Sequence, residues 1–439
     1  MRVFQFTCIT LLIALLAVPA SLAQSTMRTS NDQGMTWAYS NDDESYKLWI
    51  EGEVTFRPDD SGILSLSRGG KFTLFSDDGR RRIELEVENG SSGLEYDYRV
   101  NGDRVRYTSE VERSLASVFL YFIRESGVDA ENRVKRFLRA GGPAAVYNEI
   151  DEIESGSSVR RYLNVLVDVG DLDSAELSRA ARVAEDRIFS SGDLARFLIL
   201  SVERYMAEEE AQDAYFDVLE SVESSGDKAR VLIKVLDLGP EQEAYTRAIE
   251  VAVGLESSGD KTRVLMSALG EFPDDRRVRT LYFEAVESID SSGDRSRLLI
   301  ALLNEYEVDE PTATMAFSTA MGIGSSGDKA RVLISAVPQY SGSAQHQDSF
   351  FDAVSTIGSS GDHARVLLAL LSAGDPGAST LRHILESSKA IGADGDASRV
   401  LIASAKYVED DQVDAYLEAA EKIGNGSDRS RTLRALMDR

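Results

Sequence analysis

A short polar signature recurs along this chain. Ser190-Ser191-Gly192-Asp193, Ser224-Ser225-Gly226-Asp227, Ser257-Ser258-Gly259-Asp260, Ser291-Ser292-Gly293-Asp294, Ser325-Ser326-Gly327-Asp328 and Ser359-Ser360-Gly361-Asp362 follow one another at 33 or 34 residues. Degenerate copies extend the series to Asp396 and Asp428, and Ser158 holds the aspartate's place in an earlier copy. Three residues after each position stands an arginine: Arg161, Arg196, Arg230, Arg263, Arg297, Arg331, Arg365, Arg399 and Arg431. Glycine, small hydroxyls and a carboxylate could bind phosphate or a metal ion. Calcium needs about six to eight oxygens, and each copy supplies one aspartate. Asp394-Gly395-Asp396 and Asn425-Gly426-Ser427-Asp428 come nearest to a calcium loop.

A reaction centre is normally single, whereas this motif is spread over a whole array. A mechanical role is therefore expected. Glycine in the left-handed conformation would close one helix, and the aspartate would cap the next by accepting its free amide protons. Arginine in a first turn opposes the helix dipole, so each should pair with the aspartate of its own or an adjacent repeat. That predicts a ladder of Asp193 with Arg196, Asp227 with Arg230, Asp260 with Arg263, Asp294 with Arg297, Asp328 with Arg331, Asp362 with Arg365, Asp396 with Arg399 and Asp428 with Arg431.

Little other chemistry is written in the chain. His346, His363 and His383 are the only histidines and are expected at the surface. There is no H-E-x-x-H, no Gly-x-Ser-x-Gly elbow, no P-loop and no Gly-x-Gly-x-x-Gly after a strand. No catalytic, cofactor-binding or metal-binding residue is assigned. Glu208-Glu209-Glu210 and Glu409-Asp410-Asp411 read as solvated helix junctions.

The elements that carry the motif follow from periodicity, and the fold class is α+β multidomain. Residues 24–44 are rich in Ser, Thr, Asn and Asp and read as a flexible leader. From 45 to 108 apolar residues alternate, as in Ile83, Leu85 and Val87 or Leu94, Tyr96, Tyr98 and Val100, which predicts six short antiparallel strands. Asp59-Asp60-Ser61-Gly62, Arg68-Gly69-Gly70, Asp77-Asp78-Gly79, Asn89-Gly90 and Asn101-Gly102 supply the turns. Residues 109–154 form a helical cap and linker. Residues 155–439 are about eight and a half copies of a helix pair, a right-handed-type α-solenoid.

Pro240, Pro273, Pro311, Pro338 and Pro376 fall about mid-repeat, where a helix turns. Phe216, Ile249, Phe283, Phe317, Phe351, Leu385 and Leu417 form one apolar row of the second helix. Val222, Leu255, Ile289, Ile323, Ile357, Ile391 and Ile423 form another. The adjacent row of Tyr215, Ala248, Tyr282, Ala316, Phe350, Ile384 and Tyr416 is expected to pack between repeats. The competing expectation is that Tyr215, Tyr282 and Tyr416 face a groove as partner anchors. Arg429, Arg431, Arg434 and Arg439 give the last half repeat the polarity of a cap.

A small sheet domain, then Gly141-Gly142-Pro143 with a helix over 144–153, then Ser-Ser-Gly-Asp-x-x-Arg-Val-Leu repeats, resembles uncharacterised bacterial envelope proteins with HEAT/TPR-like helical repeats. Related repeats are attached to membrane sensor metallopeptidases of the β-lactam-responsive type. The resemblance implies architecture and not activity, because the membrane helices and zinc-binding helix of those sensors are missing here.

Address and charge complete the reading. Arg2, the apolar run from Ile9 to Val18 and Ser21-Leu22-Ala23 have the form of a signal peptide over 1–23, which would carry away the sole cysteine, Cys8. A secreted or periplasmic protein is expected. The formal net charge is −26, from 48 Lys and Arg against 74 Asp and Glu in 439 residues. That disfavours nucleic acid and anionic membrane surfaces and favours a basic protein or peptide partner. The functional expectation is a non-enzymatic scaffold. The alternative is an envelope hydrolase acting on polysaccharide, using carboxylates at the domain junction.

Overall fold

The computed structural model describes residues 24–30, 34–41, 43–271, 275–305, 308–340 and 343–439. The signal-like segment 1–23 and Pro273 lie outside the described residues. The chain divides into two compact units, Met1–Gly170 and Asp171–Arg439.

The first unit is built on a seven-stranded antiparallel sheet in the order β1-β2-β3-β6-β7-β8-β9. Its strands are β1 (Gln24–Ser30), β2 (Gly34–Ser40), β3 (Ser45–Glu51), β6 (Lys71–Asp77), β7 (Arg82–Gly90), β8 (Gly93–Val100) and β9 (Asp103–Val105). β4 (Val54–Phe56) and β5 (Ile63–Leu66) form a separate hairpin. The expected alternation appears directly, since Ile83, Leu85 and Val87 are buried. At the β8–β9 turn both Asn101 (φ 51°) and Gly102 (φ 92°) are left-handed. That is the conformation a two-residue hairpin needs to match strand twist.

The flexible leader is corrected. β1 and β2 fall inside 24–44, and Trp37 is buried with its ring 5.5 Å from that of Phe122. Met35, Trp37 and Tyr39 alternate with Thr36 and Ala38, a weak period hidden among polar neighbours. One indole and its cross-strand contacts outweigh that polarity.

Three helices complete this unit: α1 (Ser109–Ser126), α2 (Ala130–Asp151) and α3 (Gly156–Val169). α1 lays Leu115, Phe119, Phe122 and Ile123 on the sheet core. It ends at Gly127, whose φ of 60° is left-handed, and its amide donates to Ile123 O. α2 bends where Gly141 and Gly142 leave helical geometry ahead of Pro143. α3 carries the first copy of the motif, yet it belongs to this unit rather than opening the solenoid at 155. The buried Ser158, in the aspartate's place, donates to Glu125 O at 2.7 Å, and Tyr162 is buried beside α2.

The second unit is the α-solenoid. Its odd helices are α5 (Ser191–Met206), α7 (Ser225–Leu236), α9 (Ser258–Ala268), α11 (Ser292–Glu305), α13 (Ser326–Ala336), α15 (Ser360–Ser372), α17 (Asp394–Ser404) and α19 (Gly426–Met437). Its even helices are α4 (Ser174–Arg187), α6 (Glu209–Ser221), α8 (Gln242–Val253), α10 (Arg276–Glu287), α12 (Glu310–Met321), α14 (Ala344–Ser355), α16 (Gly377–Ser388) and α18 (Val413–Glu421). Odd helices pack on odd and even on even, so each repeat buries its apolar faces only against neighbours. Pro311 enters the first turn of α12 behind the Asp309 cap, where its missing amide proton costs nothing.

The rows fall as follows. Phe216, Ile249, Phe283, Phe317, Phe351 and Leu385 are buried, while Leu417 in the last pair is exposed. The row from Val222 to Ile423 is buried too, but it is not part of the second helix. α10 ends at Glu287, and Ile289 lies in the turn beyond it, its amide donating to Val286 O. These aliphatic residues pin the turn two positions ahead of the next helix cap. In α19 the terminal polarity expected of a cap is incomplete, because Met437 is 83% exposed where its equivalent in α7, Leu236, is buried.

Candidate functional site: the motif edge of the helix stack

Each motif begins an odd helix, and it does so differently from the expected division of labour. The first serine is the cap. Ser190, Ser224, Ser257, Ser325 and Ser359 precede their helices in extended conformation, and each Oγ accepts the amide of the aspartate three residues on. The aspartate therefore stands within the first turn and does not cap. The glycine is the second helical residue, and none of Gly192, Gly226, Gly259, Gly293, Gly327 and Gly361 has a positive φ. Serine, with extended backbone and a short acceptor, satisfies the N-cap geometry, so the carboxylate is left for another task.

From Asp227 onward that task is the predicted pairing, made inside one repeat and not between neighbours. Asp227 with Arg230, Asp260 with Arg263, Asp328 with Arg331, Asp396 with Arg399 and Asp428 with Arg431 are bonded from arginine Nη2 to Oδ1. Asp362 meets Arg365 at 2.8 Å and Asp294 meets Arg297 at 3.2 Å. Asp193 and Arg196 hold the same places on α5. The carboxylate lies at the positive end of the helix, so it also offsets the arginine's unfavourable position there. At Asp260 the Arg263 guanidinium holds the carboxyl below its usual range against the opposing effect of burial.

The remaining motif positions link one repeat to the next. Ser191 Oγ accepts the amide of Ser224 at 3.4 Å, and Ser360 Oγ accepts that of Ala393 at 3.2 Å. Asp394, in the place of that second serine, accepts the amides of Gly424 and Asn425 at 3.0 and 2.8 Å. The residue after the aspartate reaches the end of an even helix. Lys261 Nζ donates to Ser288 O and Oγ, and Lys329 Nζ donates to Thr356 O and Oγ1. A cation there complements the negative end of the even helix.

His363 occupies this same position, and its Nε2 lies 2.8 Å from Ser387 Oγ. The surface placement of histidines is thus corrected for two of the three. His363 and His346 are buried, and burial pushes both imidazoles below their ordinary value. His383 is half-exposed, its Nδ1 3.0 Å from Ser379 O.

The tyrosine anchors are also corrected. Tyr215, Tyr282 and Tyr416 are each 0% exposed. Their hydroxyls donate to Leu198 O, Leu265 O and Thr432 O at 3.1, 3.1 and 2.9 Å. A ring enclosed by two helices, with its one polar atom bonded to an odd-helix carbonyl, cannot present itself to a partner.

The calcium candidates dissolve into the same framework. Asp394 holds backbone amides, Asp396 and Asp428 pair with arginines, and Asn425 caps α19. Among the described residues no group of three or more His, Cys, Asp or Glu is arranged to hold a metal ion.

A second charged constellation, which the sequence did not disclose, lies in the first unit. Arg133 is 1% exposed. It donates to Glu149 Oε1 at 2.7 Å, to Tyr162 Oη at 2.6 Å and to Asp60 Oδ2 at 3.1 Å. Arg136 reaches Asp60 at 2.7 Å, and Arg124 grips Glu149 at 2.8 and 3.0 Å. Asp60 sits in the β4–β5 loop at φ 58°, a left-handed conformation that aspartate tolerates. Asp60 and Glu149 are thus two buried acids of the first unit that share Arg133. Both carboxylates are enclosed by guanidinium groups, which suits them to holding the hairpin against α2.

Comparison of the chain with protein-family models and with curated proteins finds no match.

Proposed function

We propose that the protein is a non-enzymatic scaffold of the secreted or periplasmic space whose solenoid binds a protein or peptide partner. One observation carries this reading. The serines and aspartates of the recurring motif are engaged in capping helices, pairing with arginines and joining neighbours, so what repeats at the surface is a continuous face and not a reaction centre. Repeat stacks present such faces to extended partners. The net charge of −26 supports a basic partner for the acidic parts of that surface. The address rests on the form of residues 1–23.

Immobilised full-length chain, challenged with envelope extract and cross-linked, tests the proposal. Cross-links from a captured polypeptide to solenoid residues are expected. Capture that maps only to the first unit would refute it. The alternative is an envelope hydrolase, for which the buried carboxylates to test are Asp60 and Glu149, although both are bonded to arginines. Hydrolysis of envelope polysaccharide by the purified protein, abolished in Glu149→Gln, would establish it instead.

A further inference from the structure

The odd helices carry a surface different from the rest of this acidic chain. In α9, α13 and α15 the only acidic residue is the aspartate paired with arginine. Asp217, Glu250, Glu284, Asp352, Glu386 and Glu418 recur at one exposed position of the even helices, α12 excepted, where Ser318 stands. The paired aspartates are mostly covered, at 17–23% exposure from Asp260 to Asp396, while Arg263, Arg297, Arg331, Arg365 and Arg399 are 53–65% exposed. Each guanidinium spends one donor group on its aspartate and keeps others for solvent.

One helical turn further along stands an aliphatic residue in each repeat: Met266, Ile300, Ile334, Leu368 and Ile402. The first four are half-buried and Ile402 is 38% exposed. Residues three apart on a helix are neighbours on its surface, so a row of cations runs beside a row of aliphatics across five packed helices. On α5 Leu200 is 64% exposed and, just ahead of the helix cap, Phe189 is 87% exposed.

We infer that this odd-helix face binds an extended polypeptide in polyproline II conformation that offers a carboxylate and an aliphatic side chain once in every three residues. The inference rests on the scaffold reading for a polypeptide partner, and on this face it replaces that reading's basic partner with an acidic one. Packed helices lie about 8–10 Å apart. A polyproline II chain rises about 3.1 Å per residue with three residues per turn, so equivalent side chains recur about every 9.3 Å on one side. A β-strand of similar rise turns every third side chain to the opposite face. The two columns of a three-residue repeat stand apart around the polyproline axis, as the arginine and aliphatic rows stand apart on the helices. Carboxylates complement the free guanidinium donors. The chain's overall negative charge acts at longer range, and salt at about 0.15 M confines it to roughly 8 Å.

Fluorescence anisotropy of labelled peptides on the full chain tests this. A peptide of Glu-Pro-Leu triplets is expected to bind, and Lys-Pro-Leu triplets or a Glu-Pro-Pro-Leu repeat of four residues to bind far less. The double variant Arg331→Gln with Arg365→Gln should weaken binding at least about tenfold, the equivalent of one charged hydrogen-bonded contact. Ile334→Thr should weaken it without touching an ion pair, and Glu284→Gln on the even row should leave it unchanged. Tighter binding of the lysine peptide, lost in Glu284→Gln, would overturn the inference and leave the scaffold reading standing on the even face. Indifference to the three-residue spacing, or no binding of any of the three peptides, would overturn it as well, and the capture experiment then decides the scaffold reading alone.

Discussion

The molecule uses the same chemical pair, an acidic side chain with arginine, in two regions and to opposite ends. In the first unit Arg133 is 1% exposed and serves Asp60, Glu149 and Tyr162 together, joining a strand loop to helices α2 and α3. In the solenoid the motif arginines from Arg230 to Arg431 are more than half exposed, and each meets an aspartate three residues away on its own helix. A buried network acts all or nothing, because removing one member strands the others in low dielectric. An exposed pair is weak, and its value comes from being written once per repeat.

The largest expected effect breaks the buried side of this comparison. Arg133→Met leaves Asp60 and Glu149 with reduced compensation and should cost about 3–5 kcal/mol. Denaturant melts followed by the fluorescence of Trp37 and Trp49 should show the first unit unfolding early while the helical signal of the solenoid persists. Simultaneous loss of both would show that the two units share stability.

In the solenoid, Ser325→Ala removes the cap of α13, which should cost about 1 kcal/mol. Tyr282→Phe removes the hydroxyl bonded to Leu265 O, and a similar loss of about 1 kcal/mol is expected. If instead Asp328→Ala were as costly as Ser325→Ala by calorimetry, the aspartate would share the capping role.

Histidine provides a pH test confined to the solenoid. Burial holds His346 and His363 below their ordinary value of 6.5, so the folded state keeps them neutral while the unfolded chain protonates more readily. The unfolded state then binds more protons, and stability rises with pH. Their contribution is complete above pH 6.5 and declines as pH falls through that value. Urea midpoints at about pH 7.5 and 5.5 should differ in this direction, and His363→Asn should shrink the difference.

The smallest effect is the ladder itself. A double-mutant cycle on Asp328 and Arg331 should give a coupling of about 0.3–0.5 kcal/mol, as for other exposed helical pairs. It should fade between about 0.1 and 1 M salt, as the screening length shortens from about 10 to 3 Å. The cost of Arg133→Met should hardly change over that range. A ladder coupling above that of the buried cluster would invert the comparison.

The pairing of Asp227 with Arg230 and its counterparts was legible because a period near 34 residues and a spacing of three leave few geometries for a helix. Which residue caps was not, because serine and aspartate are both good N-caps, and only the backbone at Ser224 or Ser325 distinguishes them. The fate of Tyr215, Tyr282 and Tyr416 was equally open, since a ring at helical spacing fits core or groove until the neighbouring helix is in place.

By itself the sequence determined where the elements lie and what repeats, because hydrophobic period, caps and turns act over a few residues. Asn101-Gly102 made its turn, and the aliphatic row from Val222 to Ile423 was buried. Tertiary structure alone decided what acts over distance. Arg133 meets Asp60 across 73 residues of chain, Trp37 makes a strand of a polar segment, and His363, Lys261 and Lys329 are buried at one shared motif position. Burial changes the dielectric around a charge and the partners available to it, and neither is a property of a residue and its near neighbours.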